Sequence, residues 1–184
     1  MQSLDNFIVT GKRYNNTKNI GGIEFITSTS EEDHVFSNRY AEVLEVPKDY
    51  TGDIQIGDIL LVHHNVFKFY NDIKGRRTSG RSFFRDDIFL VDSEQFFMYK
   101  HNGEWHAHDR FCFVKPIPAI DSYIKKPFSY EPLMGIMYYP NDYLISQGVN
   151  KYDTVCFKPD SEYEFNVDGE ILYRIFDHQI TLKL

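Results

Sequence analysis

Ile56-Gly57-Asp58-Ile59-Leu60-Leu61-Val62 is the stretch on which the fold turns. A Gly-Asp pair ahead of four apolar residues reads as a tight turn feeding a buried strand. The same order returns in the second half as Lys151-Tyr152-Asp153-Thr154-Val155-Cys156-Phe157, with Tyr152 where the glycine stood. An apolar strand precedes each copy, Ala41-Glu42-Val43-Leu44-Glu45-Val46 and Gly135-Ile136-Met137-Tyr138-Tyr139. Each copy closes on a short aromatic strand, an Asp and a last apolar strand: Phe83-Phe84-Arg85-Asp86-Asp87-Ile88-Phe89-Leu90, and Arg174-Ile175-Phe176-Asp177-His178-Gln179-Ile180-Thr181-Leu182. Self-similarity of this kind outranks local propensity as a guide to architecture. It predicts an all-β chain of two similar small barrels in tandem, over residues 1–92 and 93–184.

The 184 residues suit one ordinary domain or two small ones of about 90 residues each. Apolar residues make up 42%, enough for two cores, and aromatics reach 16%, which favours strands over helices. The net charge of -7 argues against nucleic acid as a partner, because phosphate contacts need a basic surface. Cys112 and Cys156 both fall in strand-like runs and read as buried thiols rather than a disulfide, with a reducing compartment as the simple consequence. Met1-Gln2-Ser3-Leu4-Asp5 has no basic n-region, and no run is long and apolar enough to span a membrane. The expected location is the cytoplasm, with no membrane partner.

Phe7-Ile8-Val9-Thr10 reads as a short strand, followed by a polar stretch from Lys12 to Ile20. Gly21-Gly22 then interrupts, and Ile23-Glu24-Phe25-Ile26-Thr27 stands as an apolar island before the acidic run Ser28 to Ser37. Residues 12–39 therefore read as a long mobile loop carrying one sticky patch, and long loops of this kind are usually functional. Asn102-Gly103 between aromatic strands is a strong hairpin signal, since both residues tolerate positive φ, and it is expected at or near the junction of the two units, ahead of the second barrel. Pro116, Pro118, Pro127 and Pro132 argue against regular structure between residues 116 and 132. Asn141 to Gln147 is the single helical stretch, a turn or two long.

Taken in order, Asn6-Phe7-Ile8-Val9, Thr17-Lys18, Gly21-Gly22-Ile23, Glu42-Val43-Leu44-Glu45-Val46, Ile56-Gly57-Asp58-Ile59 and Asp87-Ile88 resemble the GroES-like co-chaperonins, over about residues 4–92. The second half resembles the family more weakly, through His108-Asp109-Arg110-Phe111-Cys112-Phe113-Val114-Lys115, Gly135-Ile136 and Tyr152-Asp153-Thr154-Val155. The resemblance implies small β-barrels that form a ring of subunits and cap a large, GroEL-like ring chaperonin. It implies docking through the loop, at Gly21, Gly22, Ile23, Glu24, Phe25 and Ile26. A weakly binding loop, multiplied around a homo-oligomeric ring, gives capping that is firm yet releasable. Glu24 departs from the family, which usually has an apolar residue there. The second half has no Gly-Gly-apolar motif; its Ile120, Ile124 and Phe128 lie among prolines.

Several rival readings stand beside this one. Ile23 to Ile26 could be an ordinary edge strand. His63-His64 and His106-Ala107-His108 invite a metal, but no carboxylate follows His108 at a useful spacing, and polar histidines at strand ends are the simpler account. Lys74, Arg76, Arg77, Arg81 and Arg85 read as a solvated hairpin tip. Asp86, Asp87, Asp109 and Asp177 form no assignable acid–base pair, and Ser79 and Ser82 have no evident base. The expectation is a non-enzymatic protein without cofactor or metal. The alternative to a co-chaperonin is a structural or assembly protein, for example of a viral particle, that uses the barrel without a chaperonin.

Overall fold

The computed structural model describes residues 2–11, 17–26, 39–71, 73–74, 76–119 and 130–184. Its strands are β1 (Phe7–Thr10), β2 (Thr17–Ile20), β3 (Ile23–Ile26), β4 (Tyr40–Glu45), β5 (Ile59–Val62), β6 (Phe69–Asn71), β7 (Arg77–Ser79), β8 (Phe83–Arg85), β9 (Ile88–Val91), β10 (Phe96–His101), β11 (Glu104–Ala107), β12 (Phe111–Pro118), β13 (Tyr130–Tyr139), β14 (Thr154–Phe157), β15 (Tyr163–Val167), β16 (Glu170–Phe176) and β17 (Ile180–Lys183). One short helix, α1 (Asp142–Ser146), follows β13. The chain is mostly β and divides into two compact units, Met1–Glu104 and Trp105–Leu184.

The first sheet runs in the order β11-β10-β5-β4-β1-β9-β8 and the second in the order β15-β16-β12-β13-β14-β17. Read from opposite ends, six strands of each follow one plan. In both, the first, second and third strands form a meander, the fourth and fifth form a hairpin laid beside the first, and the sixth pairs with the third. Even the irregularity is shared. Pairing between the first two strands slips between Ile8 and Val9 in one unit and between Phe113 and Val114 in the other.

The turn before the third strand is built identically. Gly57 N–H donates to the Val43 carbonyl at 2.8 Å, and Val43 N–H donates to Asp58 at 2.8 Å; Tyr152 and Met137 exchange the same pair with Asp153 at 2.7 and 2.8 Å. The Asp side chain accepts from the backbone three residues earlier, Gln55 N–H at 2.8 Å and Asn150 N–H at 2.6 Å. Gly57 has φ of 92° and Tyr152 of 74°, so both turns need a left-handed residue at that position.

Alternation places the cores. Phe7, Val9, Ala41, Val43, Leu60, Val62, Phe89 and Val91 cluster in the first unit. The register puts Cys112, Val114, Gly135, Met137, Val155, Phe157, Tyr173 and Ile175 at the matching positions of the second. Side-chain volume is redistributed between them: Cys112 replaces a Phe, while Phe157 replaces a Val. A dense interior permits this only when the losses and gains are neighbours.

The prolines do not prevent β12 and β13 from forming. Pro116 and Pro118 pair with Gly135 and Tyr130 on β13, with a register slip between them. The ladder from β12 to β16 has already ended at Val114, so these two positions have a neighbour on one side only, where a missing N–H is tolerated. Ile120, Ile124, Pro127 and Phe128 lie outside the described residues. Helix α1 forms where the sequence places it. Asn141 caps it, its Oδ1 accepting from Leu144 N–H at 3.0 Å.

Candidate functional site

The site begins at the base of the excursion between β1 and β4, two neighbours in the sheet. Thr10 Oγ1 donates to the Asp87 carbonyl at 2.9 Å, fixing the end of β1. At Gly11 an added Cβ would lie 2.3 Å from the buried ring of Phe67, so only glycine fits where the chain leaves the sheet. Phe67 in turn packs edge-on against Phe89 at 4.8 Å. On the return side, Val62 N–H donates to the Arg39 carbonyl at 2.7 Å, and Arg39 is buried. Both feet of the excursion are thus locked into the core.

Beyond this base, β2 and β3 form a two-stranded antiparallel sheet of their own, pairing Thr17 with Ile26, Lys18 with Phe25, Asn19 with Glu24 and Ile20 with Ile23. Gly21 and Gly22, at φ of 63° and 85°, make the two-residue turn. Positive φ at both positions defines the primed turn that suits a right-handed ribbon. Gly21-Gly22 therefore joins two strands rather than interrupting structure. Nothing lies within 4 Å of a Cβ built on either glycine. Ile20 and Ile23 are 56% and 63% exposed, which is unusual for an opposed β-branched pair.

Of the six expected docking residues, Gly21, Gly22 and Ile23 are together at this tip, and Glu24, Phe25 and Ile26 continue along β3. The side chains of Glu24, Phe25 and Ile26, and residues 12–16 and 27–38 of the expected loop, lie outside the described residues. By alternation, positions 23 and 25 share one face of the ribbon and position 24 has the other. Ile20, which the sequence reading did not single out, stands opposite Ile23 at the tip; Ile-Gly-Gly-Ile is itself a hairpin signature with mirrored apolar flanks.

Other candidate groups are more ordinary. His63 and His64 stack at 4.2 Å, and His63 Nδ1 accepts from Asn65 N–H at 3.2 Å. His101 Nδ1 lies 2.9 Å from Asp58 Oδ2, matching the Lys183–Asp153 pair at 2.6 Å in the second unit. These two pairs brace the shared turn against the sixth strand. Among the described residues, no three His, Cys, Asp or Glu side chains gather as a metal site. An open polar cleft of about 890 Å³ in the first unit mixes Lys68 and Arg81 with Asp92 and Glu94, with no net sign to select a ligand. In the second unit the Lys151 ammonium sits 5.2–5.3 Å from the rings of Tyr138, Tyr139 and Tyr152 and fills that cluster itself.

Asp177 is the most connected buried carboxylate. It receives Arg110 at 2.8 Å and Asn141 Nδ2 at 3.1 Å. Burial pushes its pKa up, but the bonds from Arg110 and Asn141 prevail and hold it below the usual carboxylate range. It ties the start of β12, the helix cap and the end of β16 together, a structural task. Burial drives the Cys112 thiol far up, which makes it inert. Among the described residues no helix is long and apolar enough to cross a membrane. The chain matches no family model, and no curated protein matches it.

Proposed function

We propose that this chain is a co-chaperonin of the GroES-like class, in which the β2–β3 ribbon of the first unit docks on a large, GroEL-like ring chaperonin and the chain assembles as a homo-oligomer in the cytoplasm. The observation that carries this reading is the Ile-Gly-Gly-Ile tip, exposed on a ribbon whose two feet are anchored in the core. Such a tip has apolar area to offer a partner. A lone two-stranded ribbon is marginally stable in water, so it can adapt on docking, while partial pre-ordering reduces the entropy lost. The second unit serves assembly in this reading. The test is capture of the full chain by a large ring chaperonin with and without nucleotide. Nucleotide-dependent, stoichiometric capture is expected, and no capture in either condition would refute the proposal.

One observation favours a second reading, a structural or assembly protein that works without a chaperonin. Thr17–Ile26 is paired as a ribbon rather than left irregular. Limited proteolysis of the isolated protein separates the two. Rapid cleavage within residues 12–39, suppressed by the chaperonin, fits capping; resistance in the isolated protein fits the structural role.

A further inference from the structure

We infer that the β6–β7 ribbon of the first unit is a basic arm that docks on the acidic end strand β15 in the second unit of another copy of this chain; this rests on the homo-oligomer of the proposed function and not on its chaperonin. From Lys68 to Arg85 the sequence holds six Lys and Arg residues and a single acid, Asp72, although the chain as a whole carries -7. β6 and β7 form a two-stranded sheet of their own among the described residues, with Asn71 opposite Arg77 as the pair nearest the turn. Lys74 and Arg76 therefore sit in that turn, and both are exposed, as is Ile73 beside them. At the base of the ribbon Lys68 and Arg81 share the cleft with Asp92 and Glu94, so the positive excess belongs to the tip.

The matching charge lies in the second unit. Asp160, Glu162, Glu164, Asp168 and Glu170 follow one another along and around β15 with no Lys or Arg among them. Trp105 donates to Asp168 and Lys115 to Glu170. Asp160, Glu162 and Glu164 are exposed, while Phe165 and Val167 are buried; alternation turns Glu164 away from the buried face of the strand. β15 ends the second sheet among the described residues, and the end strand of a sheet is where another copy can approach. A polyanion such as nucleic acid would meet the repulsion of an acidic chain, whereas a second copy brings its own acids to the arm. Arm and strand are different surfaces, so the contact is head-to-tail, the kind that closes into a ring or extends as a filament. Surface ion pairs are individually weak and screened by salt, so several must act together.

The experiment measures self-association of the full chain by sedimentation, alongside circular dichroism, for the unaltered protein and three variants. The first carries Lys74→Glu with Arg76→Glu, the second Glu162→Lys with Glu164→Lys, and the third all four changes. The expected result is that every variant keeps its fold, that the first two associate at least about tenfold more weakly, and that the third regains association because both signs are exchanged. Salt at about 1 M, where the screening length is about 3 Å, should weaken the unaltered chain as well. If both double variants associate like the unaltered chain, the arm is not the contact; the inference is overturned and the homo-oligomer stands. If the double variants are weakened and the four changes together restore nothing, arm and β15 do not face each other, and the inference is again overturned. A labelled single-stranded oligonucleotide is the control probe. Binding that Lys74→Glu with Arg76→Glu abolishes, at unchanged mass, would assign the arm to nucleic acid and overturn the inference. If the unaltered chain is a monomer, this inference and the homo-oligomer fall together.

Discussion

Gly57 and Tyr152 occupy the same place in the same hydrogen-bonded turn, yet one has no side chain and the other a bulky ring. A left-handed conformation costs an ordinary residue about 1–2 kcal/mol. The second unit accepts that cost at Tyr152, whose ring lies 6.0 Å from Tyr138 and 5.2 Å from the Lys151 ammonium. Gly57 has no neighbour within 4 Å of a built Cβ, so Gly57→Ala adds only the conformational penalty, about 1 kcal/mol. Gly135 is different. A Cβ there would lie 2.2 Å from Val114 Cγ1 and 2.8 Å from the Lys115 carbonyl, so Gly135→Ala forces two packed strands apart. Urea denaturation should show a loss of about 2–3 kcal/mol for Gly135→Ala; equal losses for the two variants would contradict this account.

Acid sensitivity also begins with single residues. Asp153 is lowered by its bond from Lys183 and by Asn150 N–H, and Asp177 is lowered by Arg110 and Asn141 against the effect of burial. A depressed carboxylate stabilises the fold above its unfolded value, about 3.9 for Asp, and loses that contribution as pH falls through the lower folded value. The second unit is therefore expected to keep its stability from neutral pH down to about pH 5 and to weaken below about pH 4. Asp177→Asn should cost about 2 kcal/mol at pH 7, the scale of a lost charge-assisted hydrogen-bond hub, and flatten the acid limb. Urea midpoints at pH 7 and pH 3 decide the matter. A variant with an unchanged acid limb would show that Asp177 is not the group responsible.

Among the elements, the β2–β3 ribbon, like the β6–β7 pair, forms a two-stranded sheet of its own among the described residues. Its geometry depends on two residues at positive φ. Replacing both with Val (Gly21→Val with Gly22→Val) makes a primed turn inaccessible, because a β-branched residue is a genuine outlier at positive φ. The expected outcome is an unchanged melting temperature, since Ile20 and Ile23 beside the turn are both exposed, together with loss of chaperonin capture. A marked fall in melting temperature would instead place the ribbon within the cooperative fold. Helix α1 and the Asn102-Gly103 hairpin were legible from sequence because their signals are local: a capping Asn, and two residues suited to positive φ. The strands through Pro116 and Pro118 were not, because proline forbids a ladder bond only where a second neighbour exists, and that depends on where β16 ends.

For the whole molecule, the two sheets end, among the described residues, on β11 and β8 in the first and on β15 and β17 in the second. The end strand of a sheet is where another copy can pair. Light scattering at micromolar concentration is expected to give a mass several times the chain's 21.7 kDa; a monomer mass would count against assembly. The sequence by itself determined that the chain is mostly β and marked the turns at Gly57 and Tyr152, because alternation, apolar runs and turn residues act over short distances. It also marked Gly21-Gly22-Ile23 as exceptional. Only the tertiary structure decided that these glycines close a ribbon, that Ile20 stands opposite Ile23, and that the two cores exchange volume at Cys112 and Phe157. Pairing register and packing join residues far apart in the chain, and no local pattern specifies which of several apolar side chains will be left exposed.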